Sequence, residues 1–364
     1  MKKRIIAINL PQYHPFKEND EWWGKGFTEW TNVTKAKPRY HGHYQPHLPT
    51  ETGFYDLRLP EARQMQADMA RQYGIYGFCY YHYWFNGHQL MERPINDILE
   101  SKKPDFPFML CWANENWSRN WDGGYKKILI EQNYNKEDDI AHMDYLCENV
   151  FLDSRYIRIN GKPVFAVYKP FLFPNIKETI ATWREVAKKY NFELYLIASN
   201  FGYISSKQAT QWGFDALFDF QPINAGNFRS YKYNPISVFK KKILHKIFPH
   251  LPIYYSYKKY ISYQIKRPLI SESEKIYPCV SPGWDNSPRR VGQTFFAYKG
   301  NTPSLYYKWL KTTLKRFIPF SKDENLVFIN AWNEWAEGNH LEPDIKWGKQ
   351  FLEATKKAID EENI

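Results

Sequence analysis

Two glutamates, Glu334 and Glu337, stand three residues apart where an apolar run over 326–331 gives way to aromatic and amide residues closed by Gly338. The run reads as a buried strand. On a continued strand, residues three apart would point to opposite faces. On a single helical turn they become neighbours, with Cβ atoms about 5–6 Å apart. Two acids that close suit a glycosidase that retains anomeric configuration, whereas inverting enzymes hold theirs further apart. Trp332, Asn333 and Trp335 surround the pair. An indole beside a carboxylate excludes water and lifts its pKa, as a proton donor requires. The competing reading, a solvated acidic helix start, does not account for the tryptophans.

Other polar and aromatic groups end other apolar runs. Asn114 and Glu115, after Trp112, combine an amide with a carboxylate that can clamp adjacent sugar hydroxyls. Glu115 also stands as an alternative catalytic acid, and a hydrogen-bonded loop anchor is the plainer reading of the group. Tyr13 and His14 close the first run, and Tyr168 closes the fourth. In the stretch 80–84, strand alternation puts His82 and Trp84 on one side and Tyr81 and Tyr83 on the other; the first two are taken as glycan contacts. Trp284 and Asp285 follow the seventh run, with Asp285 orienting a hydroxyl and pairing Arg289, or else capping a turn. Asn333 and Trp335 complete the expected contacts. His41, His43 and His47 share a loop with Gly42 and Pro46, and no nearby carboxylate or cysteine completes a metal set. They read as substrate-loop histidines, so neither metal nor cofactor is expected.

These groups need a scaffold that brings strand ends together. Apolar runs recur at 4–9, 76–83, 108–113, 163–168, 194–198, 216–220, 276–280 and 326–331. Helical patterns lie between them at 60–73, 94–101, 137–149, 176–190, 206–212 and 303–317, with a last at 347–359. Residues 10–59 read as one long loop. Eight strands alternating with helices predict the α/β class and a parallel (β/α)8 TIM barrel, a single domain over 1–364 with long βα loops. An open doubly wound sheet would carry a glycine-rich phosphate turn, and no such pattern occurs. The candidate groups fall at the C-terminal strand ends, where barrel enzymes keep their chemistry.

Composition agrees without deciding. Aromatic residues make up 18% of the chain, with 14 Trp and 28 Tyr; flat apolar faces with polar handles suit sugars, but also protein or single-stranded nucleic acid. The net charge of +11 is concentrated: 220–271 holds ten Lys and Arg and no acid. This defines a basic, aromatic insertion at 222–275, after the sixth strand. It reads as a solvated lid, an anionic membrane-surface segment, or a contact for an acidic or lipid-linked glycan; without a recognisable motif, nucleic acid is not expected. Cys79, Cys111, Cys147 and Cys279 have no metal or redox spacing and read as buried thiols. The apolar start is too short for a signal peptide and no run is long enough to span a membrane, so a cytoplasmic protein, peripheral at the inner face of the membrane, is expected.

The stretches Asn9-Leu-Pro-Gln-Tyr-His14, Gly26-Phe-Thr-Glu-Trp-Thr31, Tyr80-Tyr-His-Tyr-Trp84, Cys111-Trp-Ala-Asn-Glu-Asn-Trp117, Trp284-Asp-Asn286 and Glu334-Trp-Ala-Glu-Gly338 with Leu341-Glu-Pro343 together resemble glycoside hydrolase family 99. They resemble still more the WbsX-like proteins of bacterial surface-polysaccharide loci. The resemblance covers nearly the whole chain. It implies a (β/α)8 barrel and metal-independent, retaining cleavage of an α-mannoside-like bond, in which the substrate's 2-hydroxyl attacks the anomeric carbon. Glu334 would then be the base for that hydroxyl, and Glu337 the acid for the leaving oxygen and later the base for water. Ala336 and Asn339-His340 depart from the mannosidase pattern, which bears on sugar specificity. WbsX-like proteins are often labelled glycosyltransferases, but the chain has no DxD pair for a nucleotide-sugar metal. A glycosyltransferase or transglycosidase of lipopolysaccharide or capsule synthesis is the first alternative, and a non-catalytic glycan-binding barrel the second.

Overall fold

In the computed structural model the described residues are 2–118, 128–200, 204–222, 243, 246–247, 253–267, 274–290 and 295–362. The barrel strands are β1 (Arg4–Asn9), β2 (Gly77–Phe85), β3 (Phe108–Trp112), β4 (Lys162–Val167), β5 (Tyr195–Ser199), β6 (Ala216–Phe218), β7 (Ile276–Tyr277 and Cys279–Val280, either side of Pro278) and β8 (Leu326–Ile329). They pair in parallel in chain order, and β1 also pairs β8. The first half of β7 pairs β6 and the second half pairs β8, so this interrupted strand closes the ring. The barrel expected from eight apolar runs is the one formed. The strands are hydrophobic on both faces because helices cover the outside and side chains fill the inside; every residue of β2, for example, is buried.

A Cβ on Gly77 would lie 2.6 Å from the Pro107 carbonyl, so β2 can begin beside β3 only with glycine there.

The helices are α1 (Lys17–Trp23), α2 (Glu29–Lys35), α3 (Pro60–Gln72), α4 (Arg93–Ser101), α5 (Lys136–Tyr145), α6 (Ile176–Lys189), α7 (Ser206–Trp212), α8 (Tyr257–Lys266), α9 (Pro303–Arg316) and α10 (Gln350–Glu362). Several starts are legible chemically: Pro60 opens α3, and the Asn135 side chain caps α5 by accepting from the Asp138 N–H at 2.8 Å. The stretch 10–59 is not one loop, since it holds α1 and α2. Thr28 precedes α2, and its N–H reaches the Thr31 hydroxyl at 3.3 Å; threonine in place of the usual Glu or Gln hid this start in the sequence.

Of the insertion at 222–275, the described parts include Ile253–Ser256, paired in parallel with Phe296–Lys299, and α8. Lys240, Lys241 and Lys242 lie outside the described residues. Cys79, Cys111, Cys147 and Cys279 are free and buried. No helix among the described residues is long and apolar enough to cross a membrane.

Candidate active site

After β8 the chain makes a small hairpin, Asn333–Glu334 against Asn339–His340, whose tip is one 3-10 turn over Trp335–Glu337. Side chains three apart eclipse on such a turn. Gly338 ends it at φ 54°, and a Cβ there would press on Asp285 at 3.0 Å. The turn delivers Glu334 and Glu337 to one guanidinium, that of Arg289 in the turn after β7. Arg289 Nη2 donates to Glu334 Oε2 at 2.9 Å, and its Nη1 donates to Glu337 Oε1. A third carboxylate completes the cluster: Glu29, at the start of α2, accepts from Arg289 Nε at 2.8 Å and from Nη2 at 2.6 Å.

Glu29 and Glu334 are buried and Glu337 is partly buried, and three such acids around one cation cannot all be ionised cheaply. Burial pushes the Glu337 carboxyl up to about 8, with Glu334 and Glu29 adding to the rise against the pull of Arg289. Burial likewise lifts Glu29 to about 7, opposed by Arg289 and reinforced by Glu334. Glu334 is raised by burial and held back by Arg289 alone. Burial works against the charge on Arg289, but the three carboxylates outweigh it and hold its pKa well above the ordinary arginine value. Burial and mutual repulsion thus favour a shared proton on the cluster, and Glu337 is raised further than Glu29.

Several tyrosines lie within electrostatic reach of the cluster. Tyr81 and Tyr83, on the inner face of β2, both feel the charge of Glu334, and Tyr83 also that of Glu29. Tyr168, after β4, feels Glu115, Glu337 and Glu334 and meets Tyr81 edge-on at 5.8 Å. Tyr13 lies under the hairpin, its hydroxyl donating to the Asn333 carbonyl, with Trp30 and Tyr55 against its ring. Trp284 is partly exposed, while its indole N–H is itself buried and has no protein partner.

Several expected contacts lie elsewhere. The alternation in β2 is as read, but its sides are exchanged. His82 and Trp84 turn to the helix layer, where His82 Nε2 meets His142 Nε2 at 2.9 Å and Trp84 donates to Asp138 at 2.8 Å. Trp112 joins them, packed on His142, Phe173 and Trp183. The physical reason is fit: the side of Tyr81 also holds Cys79 beside Cys111 and Cys279, while toward α5 and α6 His82, Trp84 and Trp112 find His142, Asp138 and Trp183 as partners.

Asn114 is a loop anchor, its amide bridging Tyr134, the Lys169 carbonyl and the Lys169 N–H. Glu115 is half-exposed and pairs with Lys169, and the Arg289 cluster does not include it. Asn333 is fully buried and spends its amide on Leu10, Asn9 and Tyr55, tying the hairpin to β1. Trp335 stacks on His340 at 3.8 Å and donates to Glu342, so its face is taken. His14 is buried on the Pro11 carbonyl, with its pKa lowered to about 4 chiefly by burial. Asp285 does not pair Arg289. It caps its own turn through the Ser287 N–H at 3.0 Å and accepts from Gln45 at 2.7 Å, with His43 Nε2 2.6 Å away.

Glu29, Tyr81 and Tyr83 were the residues missed. Glu29 stood inside a quoted motif, but its partner lies 260 positions on. Of the loop histidines, His41 is exposed, while His43 and His47 are buried. His47 meets His340 and Asp344, the one cluster of His, Cys, Asp or Glu among the described residues with metal-ligand spacing.

The family model described as Glycosyltransferase WbsX matches residues 5–355. Two curated relatives, each described as uncharacterized protein WxcX and from two strains of Xanthomonas campestris pv. campestris, are 38% identical over 98% of this chain and 49% of theirs. The chain thus spans about half the length of the curated relatives it matches. Among solved structures, a GH99 endo-alpha-mannosidase from Bacteroides thetaiotaomicron is similar with a TM-score of 0.61 and 14% identity, over 99% of this chain and 97% of that one. A glycoside hydrolase-like protein is similar with a TM-score of 0.60 and 14% identity, over 98% and 94%. At this identity the likeness is one of fold.

Proposed function

The chain belongs to the family described as Glycosyltransferase WbsX, and on that premise we propose that it is a carbohydrate-active enzyme of retaining, endo-α-mannosidase-like glycoside hydrolase type, acting on a bacterial surface polysaccharide or its precursor. One observation carries the reading: Glu334 and Glu337 share the guanidinium of Arg289 within electrostatic reach of Tyr81, Tyr83 and Tyr168, at the C-terminal ends of the barrel strands.

In this mechanism Glu334 takes the proton of the sugar 2-hydroxyl as O2 attacks C1. The C1–oxygen bond breaks, and Glu337 gives its proton to the leaving oxygen. Glu337, now a carboxylate, takes a proton from water while the water oxygen opens the strained ring at C1, and Glu334 returns its proton to O2. Glu337 begins protonated because burial raises it to about 8. Direct attack on C1 by a carboxylate is the competing retaining route, and it would leave a sugar–enzyme ester. Tyr168 and the partly exposed ring of Trp284 are the proposed sugar contacts, with Tyr81 and Tyr83 in place of His82 and Trp84.

The family's name favours a second reading, transfer from an activated donor. Incubating the protein with oligosaccharide alone, and separately with nucleotide sugars, separates the two. Hydrolysis predicts new reducing ends from oligosaccharide alone, and strict dependence on a nucleotide sugar would refute it. The anionic-membrane or lipid-linked-glycan role of the basic insertion belongs to this proposal. It predicts liposome co-sedimentation that needs anionic lipid and weakens with salt.

A further inference from the structure

His47 comes from the loop between α2 and α3, His340 ends the second strand of the hairpin, and Asp344 follows it. The three are buried, with their facing atoms close together. His47 Nδ1 lies 2.9 Å from His340 Nε2, and Asp344 Oδ2 lies 4.0 Å and 3.9 Å from those two nitrogens. The groups are oriented from outside the cluster. His340 Nδ1 sits 2.9 Å from the Glu342 carbonyl, which can only accept, so Nδ1 carries the proton and Nε2 presents its lone pair inward. The Trp347 N–H holds Asp344 Oδ1 at 2.6 Å, turning Oδ2 toward the imidazoles. Tyr44 stacks on His47 and Trp335 stacks on His340, fixing both rings. Backbone bonds from Thr50 to Pro343 and from Ile345 to Leu48 zip the two segments together.

We propose that His47, His340 and Asp344 form a binding site for a first-row divalent metal ion, zinc foremost, that clamps the loop between α2 and α3 to the hairpin carrying Glu334 and Glu337. Metal–ligand bonds of roughly 2.0–2.2 Å place ligand atoms about 3.0–3.5 Å apart, a range the three observed separations bracket. Two imidazoles and one carboxylate suit zinc or its neighbours; calcium and magnesium require more oxygen ligands. This reverses the expectation of no metal. His47 found no local carboxylate in the sequence because its partners lie 293 positions away and beyond. The proposal is independent of the glycosidase reading. The rival arrangement is a plain hydrogen bond from His47 Nδ1–H to His340 Nε2, with no ion.

The test uses the whole chain, without a polyhistidine tag and stripped by chelator. It is titrated with Zn2+ by calorimetry and with Co2+ by visible absorption. The site predicts one equivalent bound, a Co2+ ligand-field band, and a melting temperature raised by Zn2+. His340→Gln and Asp344→Asn, with folding checked by circular dichroism, should each weaken uptake at least about tenfold, while His43→Gln should not. No uptake by the unaltered chain would overturn the proposal, as would one equivalent held equally well by His340→Gln and Asp344→Asn.

Discussion

Glu29 and Arg289 are 260 positions apart in the chain, yet Glu29 Oε1 lies 2.6 Å from Arg289 Nη2, and the same guanidinium holds Glu334 and Glu337. The positions of the two proposed reactive acids therefore depend on a cation from the turn after β7 and a counter-charge from α2. Removing the cation should be felt more than removing either acid. Arg289→Met leaves Glu29, Glu334 and Glu337 without their cation, and breaking a buried pair on one side costs about 3–5 kcal/mol. Urea denaturation is expected to show a loss of that order; a loss below about 1 kcal/mol would mean the cluster is solvated.

Glu29→Gln removes one of the charges that raise Glu337. The upper limb of the pH–rate profile on a cleavable glycan should move to lower pH, with activity kept on its acid side. An unmoved limb would show that Glu29 does not set the acid's proton affinity.

The same raised carboxyls make stability fall as pH rises. With folded values of about 7 for Glu29 and about 8 for Glu337, against 4.5 for an ordinary glutamate, the native state binds the extra protons. Their contribution is fully present below about pH 4.5 and lost as pH rises through 7 and 8. Each group tilts stability by at most about 1.4 kcal/mol per pH unit within that window. Buried histidines such as His14, lowered to about 4, tilt stability the other way up to about pH 6.5, so melting temperatures should decline from about pH 7 to 9, and Glu337→Gln should flatten that decline.

Exchanging the two sides of β2 has its own consequence. Trp84→Phe loses the hydrogen bond to Asp138 in the helix layer and should cost about 1–3 kcal/mol of stability with kcat/KM unchanged. Tyr83→Phe and Tyr168→Phe should do the reverse, lowering kcat/KM with little change in the urea midpoint. A large kinetic defect in Trp84→Phe would restore it as a glycan contact.

Glu342 holds the hairpin from behind. It accepts from Tyr55 at 2.8 Å, Gln66 at 2.7 Å, Trp332 at 2.9 Å and Trp335 at 2.7 Å. Glu342→Ala strands four buried donors and should destabilise by at least about 3 kcal/mol in urea denaturation. A smaller loss would mean that water replaces the carboxylate.

The barrel was legible because its signals are local. Each apolar run and capping residue reports on its own few neighbours, and the sum of eight gave the ring, down to β7 read as one strand although Pro278 divides its pairing. The Glu334/Glu337 turn was legible for the same reason: three residues and a glycine define it. What stayed hidden was long-range or a matter of side. Glu29 needs Arg289, and His47 needs His340, each across most of the chain. The facing of Tyr81 against His82 depends on which side of β2 holds fitting partners, and alternation fixes only that they differ. Asn333 and Trp335, adjacent to the acids in sequence, turned out to be fastened to Leu10 and Glu342, since adjacency does not say which neighbour satisfies a buried amide or indole.

The central claim is that Glu334 and Glu337 act as base and acid on a glycosidic bond. The most direct measurement follows oligosaccharide cleavage in 18O-labelled water by mass analysis, for the unaltered chain and for Glu334→Gln and Glu337→Gln. The account predicts one labelled reducing end per bond broken, and loss of turnover by at least about a hundredfold in each variant, with both still folded. Cleavage that persists in both variants, or product that appears only when a nucleotide sugar is supplied, would contradict it.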